Sequence, residues 1–320
     1  MKTCIICGNS CLDRLLKPRE MMFGTRVEYT YLECSKCGCL QIQDAYSDEG
    51  DYPDRYLSFQ EPPEEADTIL KNVRLSLRKF NAQKCLDSRS IIGKLSRTLR
   101  GEHYLYRWLR RANVSFDSHI LDVGCGIGEL LLYLRTIGFD SLTGIDPYIK
   151  KDIVHPGGVN IYRKAIHDLS DTFDFVMLNH SIEHLPDPVS ACTHIRKLLN
   201  PGGHVLVRTP IASSYAFRKY GSAWAAIDAP RHKVIHTLSS MYILASGVGF
   251  QVVHVEYDST PFQFIASEQF SRNIATTEPK SHYVSSRDSI FSKSQIRAFS
   301  KLARYLNKIG DGDSACFLLR

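Results

Sequence analysis

Four groups of residues in this sequence are spaced to do chemistry. Cysteines occur as two C-x-x-C pairs, Cys4/Cys7 in "CIIC" and Cys34/Cys37 in "CSKC", each followed by a glycine, Gly8 and Gly38. A C-x-x-C-G turn presents two thiolates to one metal ion, and two such turns supply the four ligands of a closed tetrahedral zinc site. With no open coordination position, that zinc is structural rather than catalytic. Cys11 and Cys39 are spare, and either could replace an assigned ligand. A redox dithiol is the competing reading, but a thioredoxin-like C-x-x-C belongs in a βαβ context that is missing here.

The second group is "HILDVGCGIGELLLYL". An apolar strand reaches Asp122, then Gly124, Gly126 and Gly128 alternate, and a helix begins at once. Glycines let the backbone turn sharply and approach a ligand without a Cβ in the way. Eighteen residues after Gly128, the strand "SLTGID" ends in Asp146, where an acid can accept hydrogen bonds from both ribose hydroxyls. Together they describe a site for an adenosine-containing ligand at strand C-termini.

The third group, "HSIEH" at 180–184, has the spelling H-x-x-E-H. A zinc peptidase would need both histidines on one long helix, whereas Pro186 and Pro188 interrupt any helix directly after His184. The fourth is "YGSAWAAIDAPRHKVIHTLSSMY", whose Trp224, Asp228, Pro230, Arg231 and His232 lie between a strand and a helix beginning near Leu238.

These groups need a scaffold, and the hydrophobic pattern supplies one. From 118 onward strand-like runs ("HILDVG", "SLTGID", "VNIYRKA", "FDFVMLN", "GHVLVRTP", "QVVHVEYD") alternate with helix-like runs ("GELLLYLRTIG", "PVSACTHIRKLLN", "LSSMYILASGVG"). Such alternation predicts a doubly wound, mostly parallel α/β sheet covered on both faces. "SACFLLR" adds a seventh strand after a mainly helical insertion, 260–311, expected to fold over the pocket as a lid. Residues 1–45 read as the Cys-rich module and 46–60 as a linker. From "PPEEADTILKNVRLSLRKF" to about Leu109 the pattern is helical, so that 46–112 is linker plus helical segment and 113–320 the α/β domain.

The blocks "LDVGCGIG", "GID", "FDFVMLNHSIEHLPDP" and "LLNPGGHVLVRTP", in that order, resemble the class I S-adenosylmethionine-dependent methyltransferases, which have a seven-stranded Rossmann-like sheet. The resemblance covers about 118–258 and the final strand. It implies that Asp122, Gly124, Gly126 and Gly128 surround the methionine end of S-adenosylmethionine, that Asp146 holds the ribose, that Ile166 meets the adenine, and that Asn179, ending its strand, belongs to the same site. Some relatives bind a divalent cation through E-x-x-E-H where this chain has His180, Glu183 and His184. Either these three chelate, or Glu183 and His184 fix the loop while His180 faces the pocket and orients the acceptor. The fourth group is similar to one found in methyltransferases of glycan and small-molecule biosynthesis.

Transfer from a sulfonium is an in-line displacement, and an alcohol acceptor benefits from a base. His232 is the first candidate, preceded by Arg231 for an anionic substrate group; the alternative is that His232 bonds a backbone carbonyl in a turn. The leading reading is therefore methyl transfer to a small-molecule or carbohydrate-type acceptor, at oxygen. An RNA methyltransferase is the second reading: Lys71 to Arg111 holds twelve Lys or Arg against Asp87 and Glu102, a segment that could grip phosphates. A non-enzymatic zinc adaptor is the third, opposed by the intact glycines and Asp146.

Composition bounds the rest. At 320 residues, 43% hydrophobic and 23% charged, the chain has the makeup of a soluble globular protein. No apolar run has the roughly 18 residues that cross a membrane, and "MKTCIICGNSC" has no signal-peptide pattern. A cytoplasmic location is expected, where thiols stay reduced and six cysteines in the first 39 residues point to metal rather than disulfides. The sequence does not set the oligomeric state.

Overall fold

The computed structural model describes residues 3–43, 69–86, 104–155 and 157–320. Along the chain run β1 (Leu12–Leu16), β2 (Tyr31–Cys34), β3 (Leu40–Ile42), α1 (Ile69–Leu86), α2 (Tyr104–Arg111), β4 (Ile120–Val123), α3 (Glu129–Ile137), β5 (Leu142–Ile145), β6 (Ile153–His155), β7 (Val159–Tyr162) and β8 (Phe173–Asn179). Then follow α4 (Pro188–Leu198), β9 (Leu199–Pro210), α5 (Tyr215–Tyr220), β10 (Val234–Ile235), α6 (Leu238–Gly247), β11 (Val252–Tyr257), α7 (Phe262–Ser271), α8 (Lys293–Ile309) and β12 (Ser314–Leu319). The chain divides into two compact units. One comprises Met1–Asp51, His180–Thr193 and Val207–Leu319; the other comprises Tyr52–Asn179, His194–Leu206 and Arg320.

The glycine-loop unit is built on parallel strands. β4 lies between β5 and β8, with Asp122 level with Gly144 on one side and Met177 on the other. All four β4 residues are buried, which is why the segment reads as a continuous apolar run rather than an alternating one. β5 pairs in parallel with β7. Four of the expected strands, β4, β5, β7 and β8, form here, and one more is added: β6 runs antiparallel to β7, so the expectation of seven strands fell short. Three residues of mixed exposure offered no alternation to detect. α1 and α2 correspond to the expected helical segment; its start, from "PPEEADT", lies outside the described residues.

The Cys-rich unit carries a four-stranded sheet in the order β1-β2-β3-β10. Its first three strands, β1 to β3, lie within the Cys-rich stretch 1–45. The fourth comes from the "DAPRHKVIH" segment: β10 pairs antiparallel with β3, Val234 opposite Gln41 and Ile235 opposite Leu40. The Cys-rich module is thus packed with chain two hundred residues on, through Leu16, Tyr31, Leu40, Phe217, Trp224 and Ile235 in one buried cluster. In the same unit β11 pairs antiparallel with β12. α7 and α8 occupy the expected insertion and pack on each other through Phe264, Ala303 and Leu306. Among the described residues no helix is long and apolar enough to cross a membrane.

Candidate active site

In the glycine-loop unit, the loop after β4 is stitched to the end of β5. The N–H groups of Gly124 and Cys125 donate to the Ile145 carbonyl at 2.8 and 3.2 Å. The Gly126 N–H donates to Asp146 Oδ2 at 2.9 Å, and the Tyr148 N–H to Oδ1 at 2.9 Å. Gly124, Gly126 and Gly128 have φ of +73°, +55° and +84°, the left-handed region that disfavours any other residue. At Gly128 a Cβ would also lie 2.2 Å from Ile161 Cδ1.

Two further residues shape this loop. A Cβ on Gly144 would lie 2.6 Å from Cys125 Sγ and 2.8 Å from Leu131 Cδ1, so the middle of β5 must be glycine for loop and helix to settle on it. The His155 ring donates from Nε2 to the Ile127 carbonyl at 2.8 Å. Neither was singled out from sequence. Gly144 lies inside "SLTGID", where it reads as a gap in the pattern, and His155 belongs to the unexpected β6.

Asp122 and Asp146 are both buried. Burial, and then the neighbouring Asp146 charge, push the Asp122 carboxyl up to about 8. Asp146 is also raised by burial, against the two N–H bonds that favour its ionised form. The carboxylate of Asp146 retains acceptor capacity beyond those bonds, since two oxygens offer about four lone-pair directions. A ribose diol fits that capacity, and a cationic amino-acid end fits beside a carboxyl whose ionisation awaits a counter-charge. Ile166 is buried at the start of a tight turn that Asp168 closes by accepting the Ala165 N–H at 2.9 Å. Asn179 ends β8.

In the Cys-rich unit, His180 adopts φ +53°, which is uncommon for a residue with a side chain. Its N–H is fixed to the Arg208 carbonyl at 2.8 Å, while its side chain remains 38% exposed. The ring's Nδ1 meets Glu183 Oε1 at 3.2 Å, and the Thr209 hydroxyl donates to the other oxygen, Oε2, at 3.0 Å. Burial opposes ionisation of Glu183, but the His180 bond and charge outweigh it and hold the carboxylate at about 2. The side chain of Glu183 has no exposed surface. The arrangement is an imidazole backed at Nδ1 by an ionised, buried carboxylate, on a side chain that is itself partly exposed.

His184 donates from Nδ1 to the Arg231 carbonyl at 3.1 Å, and burial followed by His232 lowers its pKa to about 4. His232 donates from Nδ1 to the Ala226 carbonyl at 2.8 Å, the turn-bonding alternative stated above, and its Nε2 lies 3.8 Å from Asp228. Arg231 is 3% exposed and engaged by Asp228 and by Glu20, the latter at 3.0 Å, so its guanidinium serves carboxylates of the protein itself. Trp224 is buried, its Nε1–H donating to Asp313 at 3.0 Å.

Two groups could hold a metal. The four sulfurs of Cys4, Cys7, Cys34 and Cys37 lie within 4.8 Å of one another, on two turns closed by Gly8 N–H to Cys4 O (2.9 Å) and Gly38 N–H to Cys34 O (2.8 Å). This donor set fits a zinc ion. Cys39 is buried beside them, its sulfur 3.4 Å from those of Cys4 and Cys37. Ligand atoms of Glu183, His184 and His232 also lie within 4.8 Å of one another. The expected trio of His180, Glu183 and His184 is not the one assembled: His180 lies outside it and His232 takes the third place.

Over residues 78–255 the chain matches a family described as a methyltransferase domain. Among curated proteins it is 30% identical over 137 residues to the ubiquinone biosynthesis O-methyltransferase of Dechloromonas aromatica, covering 39% of this chain and 59% of that one. It is 31% identical over 112 residues to the protein of the same name from Vibrio cholerae, covering 32% and 45%. The chain therefore spans about half the length of these curated relatives. An S-adenosylmethionine-dependent methyltransferase of known structure from Mesorhizobium loti aligns with 67% of this chain and 96% of its own, at 18% identity and a TM-score of 0.43.

Proposed function

The chain belongs to the class I S-adenosylmethionine-dependent methyltransferase family, and from that premise we propose that it transfers a methyl group to a hydroxyl of a small-molecule acceptor. The observation that carries this reading is the bond between Gly126 and Asp146, which couples the glycine loop to the acid expected to hold a ribose. Asp122, Gly124, Gly126, Gly128, Asp146, Ile166 and Asn179 are the residues we assign to the cofactor. When bound, S-adenosylmethionine supplies a methyl group on a sulfonium, open to in-line displacement.

His180 is the group we assign as base, in place of His232. Its half-exposed ring and its Nδ1 bond to Glu183 support that role: with Nδ1 protonated, Nε2 carries the lone pair. Nε2 would accept the proton of the acceptor hydroxyl, leaving its oxygen as the nucleophile toward that methyl group. Glu183 stabilises the imidazolium that results. Arg231 and His232 act as positioning residues, since both are buried and both brace the turn that carries Glu183. Glu183, His184 and His232 are read as fixing this turn without a cation. Support comes from Glu183, which commits one oxygen to His180 and the other to Thr209. The Cys4, Cys7, Cys34 and Cys37 site is read as structural zinc.

Carbohydrate-type polyols head the acceptors to screen, followed by phenols. The test is calorimetric titration with S-adenosylmethionine, then release of S-adenosylhomocysteine in the presence of each acceptor. Absence of cofactor binding would overturn the reading at its base; binding without turnover on any hydroxyl acceptor would overturn the acceptor class.

A further inference from the structure

We propose that Glu20 and Tyr31, both on the Cys-rich module, are positioning residues for the turn that carries His180 and Glu183. The proposal rests on the reading of His180 as base.

The connection runs through one short segment, Arg231 to Ile235. Buried backbone polar groups must all find partners, and those of residues 231–233 find them on three sides. Toward their own turn, the N–H groups of Arg231 and His232 donate to the Asp228 carbonyl at 2.9 and 3.3 Å. Toward the His180 turn, the Lys233 N–H donates to the Glu183 carbonyl at 2.7 Å, and the Arg231 carbonyl receives the His184 ring at 3.1 Å. The His184 and His232 rings meet edge to face, 4.7 Å apart. Toward the Cys-rich module, the His232 carbonyl receives the Tyr31 hydroxyl at 2.6 Å and the Lys233 carbonyl receives the Ile42 N–H at 3.0 Å. The segment is clamped between the module and the backbone of Glu183 itself.

Side chains reinforce the clamp. Glu20 is 3% exposed and bonds Arg231 Nη2 at 3.0 Å. Its carboxylate is itself pinned by the N–H groups of Phe23 and Thr25, at 2.8 and 2.9 Å, and by the Thr25 hydroxyl at 3.1 Å. The Phe23 ring lies 4.8 Å from the guanidinium. Farther along, the Thr237 hydroxyl donates to the Cys37 carbonyl at 2.5 Å, on the turn that presents a proposed zinc ligand. Burial of Arg231 demands compensation, and Asp228 and Glu20 together supply it. The carboxylate from the module decides where the guanidinium sits, and through it where the Arg231 carbonyl meets His184.

The experiment uses full-length protein with its metal retained and compares Tyr31→Phe, Glu20→Gln and the control Glu33→Gln. Glu33 is on the same module, where it pairs with the exposed Arg14. Three readouts are taken: zinc content, cofactor affinity, and the ring resonances of His180 and His184 by long-range nitrogen-correlated NMR at one fixed pH, in the absence of acceptor. With an assay for turnover, kcat joins them. The expected result for Tyr31→Phe and Glu20→Gln is shifted His180 and His184 resonances and a kcat lowered roughly 10- to 100-fold, as a displaced catalytic group gives. Zinc content and cofactor affinity stay as in the parent, and Glu33→Gln stays at parent values throughout. Unmoved histidine resonances in both Tyr31→Phe and Glu20→Gln would overturn the proposal whatever the activity. Moved resonances with unchanged kcat would instead overturn the role of His180 as base and leave the positioning link supported.

Discussion

The N–H of Gly126 donates to the carboxylate of Asp146 across 2.9 Å, so the middle glycine of one loop is bonded to the acid that ends the next strand. Asp122, the buried acid at the end of the preceding strand, is raised by its burial and then by the Asp146 charge. On the assignment of both acids to the cofactor, we expect this pair to set how its binding responds to pH.

Cofactor binding is expected to release protons near pH 7. Asp122, pushed up to about 8, is mainly protonated there in the free protein. The ammonium and sulfonium of S-adenosylmethionine favour its ionised form and lower that value, so affinity rises as pH rises toward about 8. Calorimetry in phosphate and in Tris, buffers of different ionisation enthalpy, measures the protons released; equal enthalpies in both would exclude this coupling. Asp122→Asn is expected to remove the buffer dependence.

Gly144→Ala is expected to damage the cofactor loop without touching a residue assigned to the cofactor. The added methyl would overlap Cys125 Sγ and Leu131 Cδ1, and overpacking of this kind costs about 1–3 kcal/mol. Thermal unfolding should show the loss of stability, and titration a weaker affinity for S-adenosylmethionine. Parent-like affinity would mean that the loop adjusts around the methyl.

The sequence made the glycine loop legible because three positive φ values demand three glycines, and it made the metal site legible because two C-x-x-C-G turns have one spacing. His180 was noted, but not as the histidine backed by a carboxylate, because that choice depends on which ring is half exposed. Glu20 and Tyr31 were invisible for a different reason. Their partners Arg231 and His232 lie 211 and 201 residues away, and no local period or turn chemistry connects them. β10, two residues long, falls below any pattern of alternation.

His180→Ala is expected to lower kcat by about 10² to 10⁴, the range for loss of a general base, with cofactor affinity unchanged. Turnover at the parental rate would return the assignment to His232.

Acid stability should depend on His236. This ring is fully buried, with Nδ1 3.2 Å from the Ser240 hydroxyl, and burial lowers its pKa from 6.5 to about 4. The folded state therefore binds fewer protons than the unfolded state between those values. The stability it contributes is present above about 6.5 and is lost as pH falls toward about 4. His236→Asn should flatten the fall of Tm over that window relative to the parent, with His184, lowered in the same direction, supplying the slope that remains. Identical slopes for variant and parent would refute it.

Metal analysis is expected to find one zinc per chain, lost in Cys34→Ser. Chelation that leaves this zinc in place should leave methyl transfer unchanged. Activity lost under such chelation and restored by an added divalent cation would assign a second metal to Glu183, His184 and His232.

The ion pair between Glu20 and Arg231 also has a consequence for synthesis on the ribosome. The two residues are separated by 211 positions, and at bacterial and eukaryotic elongation speeds that interval lasts roughly 10–40 s. Until the later segment is made, Glu20 lacks the cation that offsets its burial and β3 lacks the strand that pairs with its outer edge, so neither the buried pair nor the fourth strand of this sheet can form before residues 231–235 are in place.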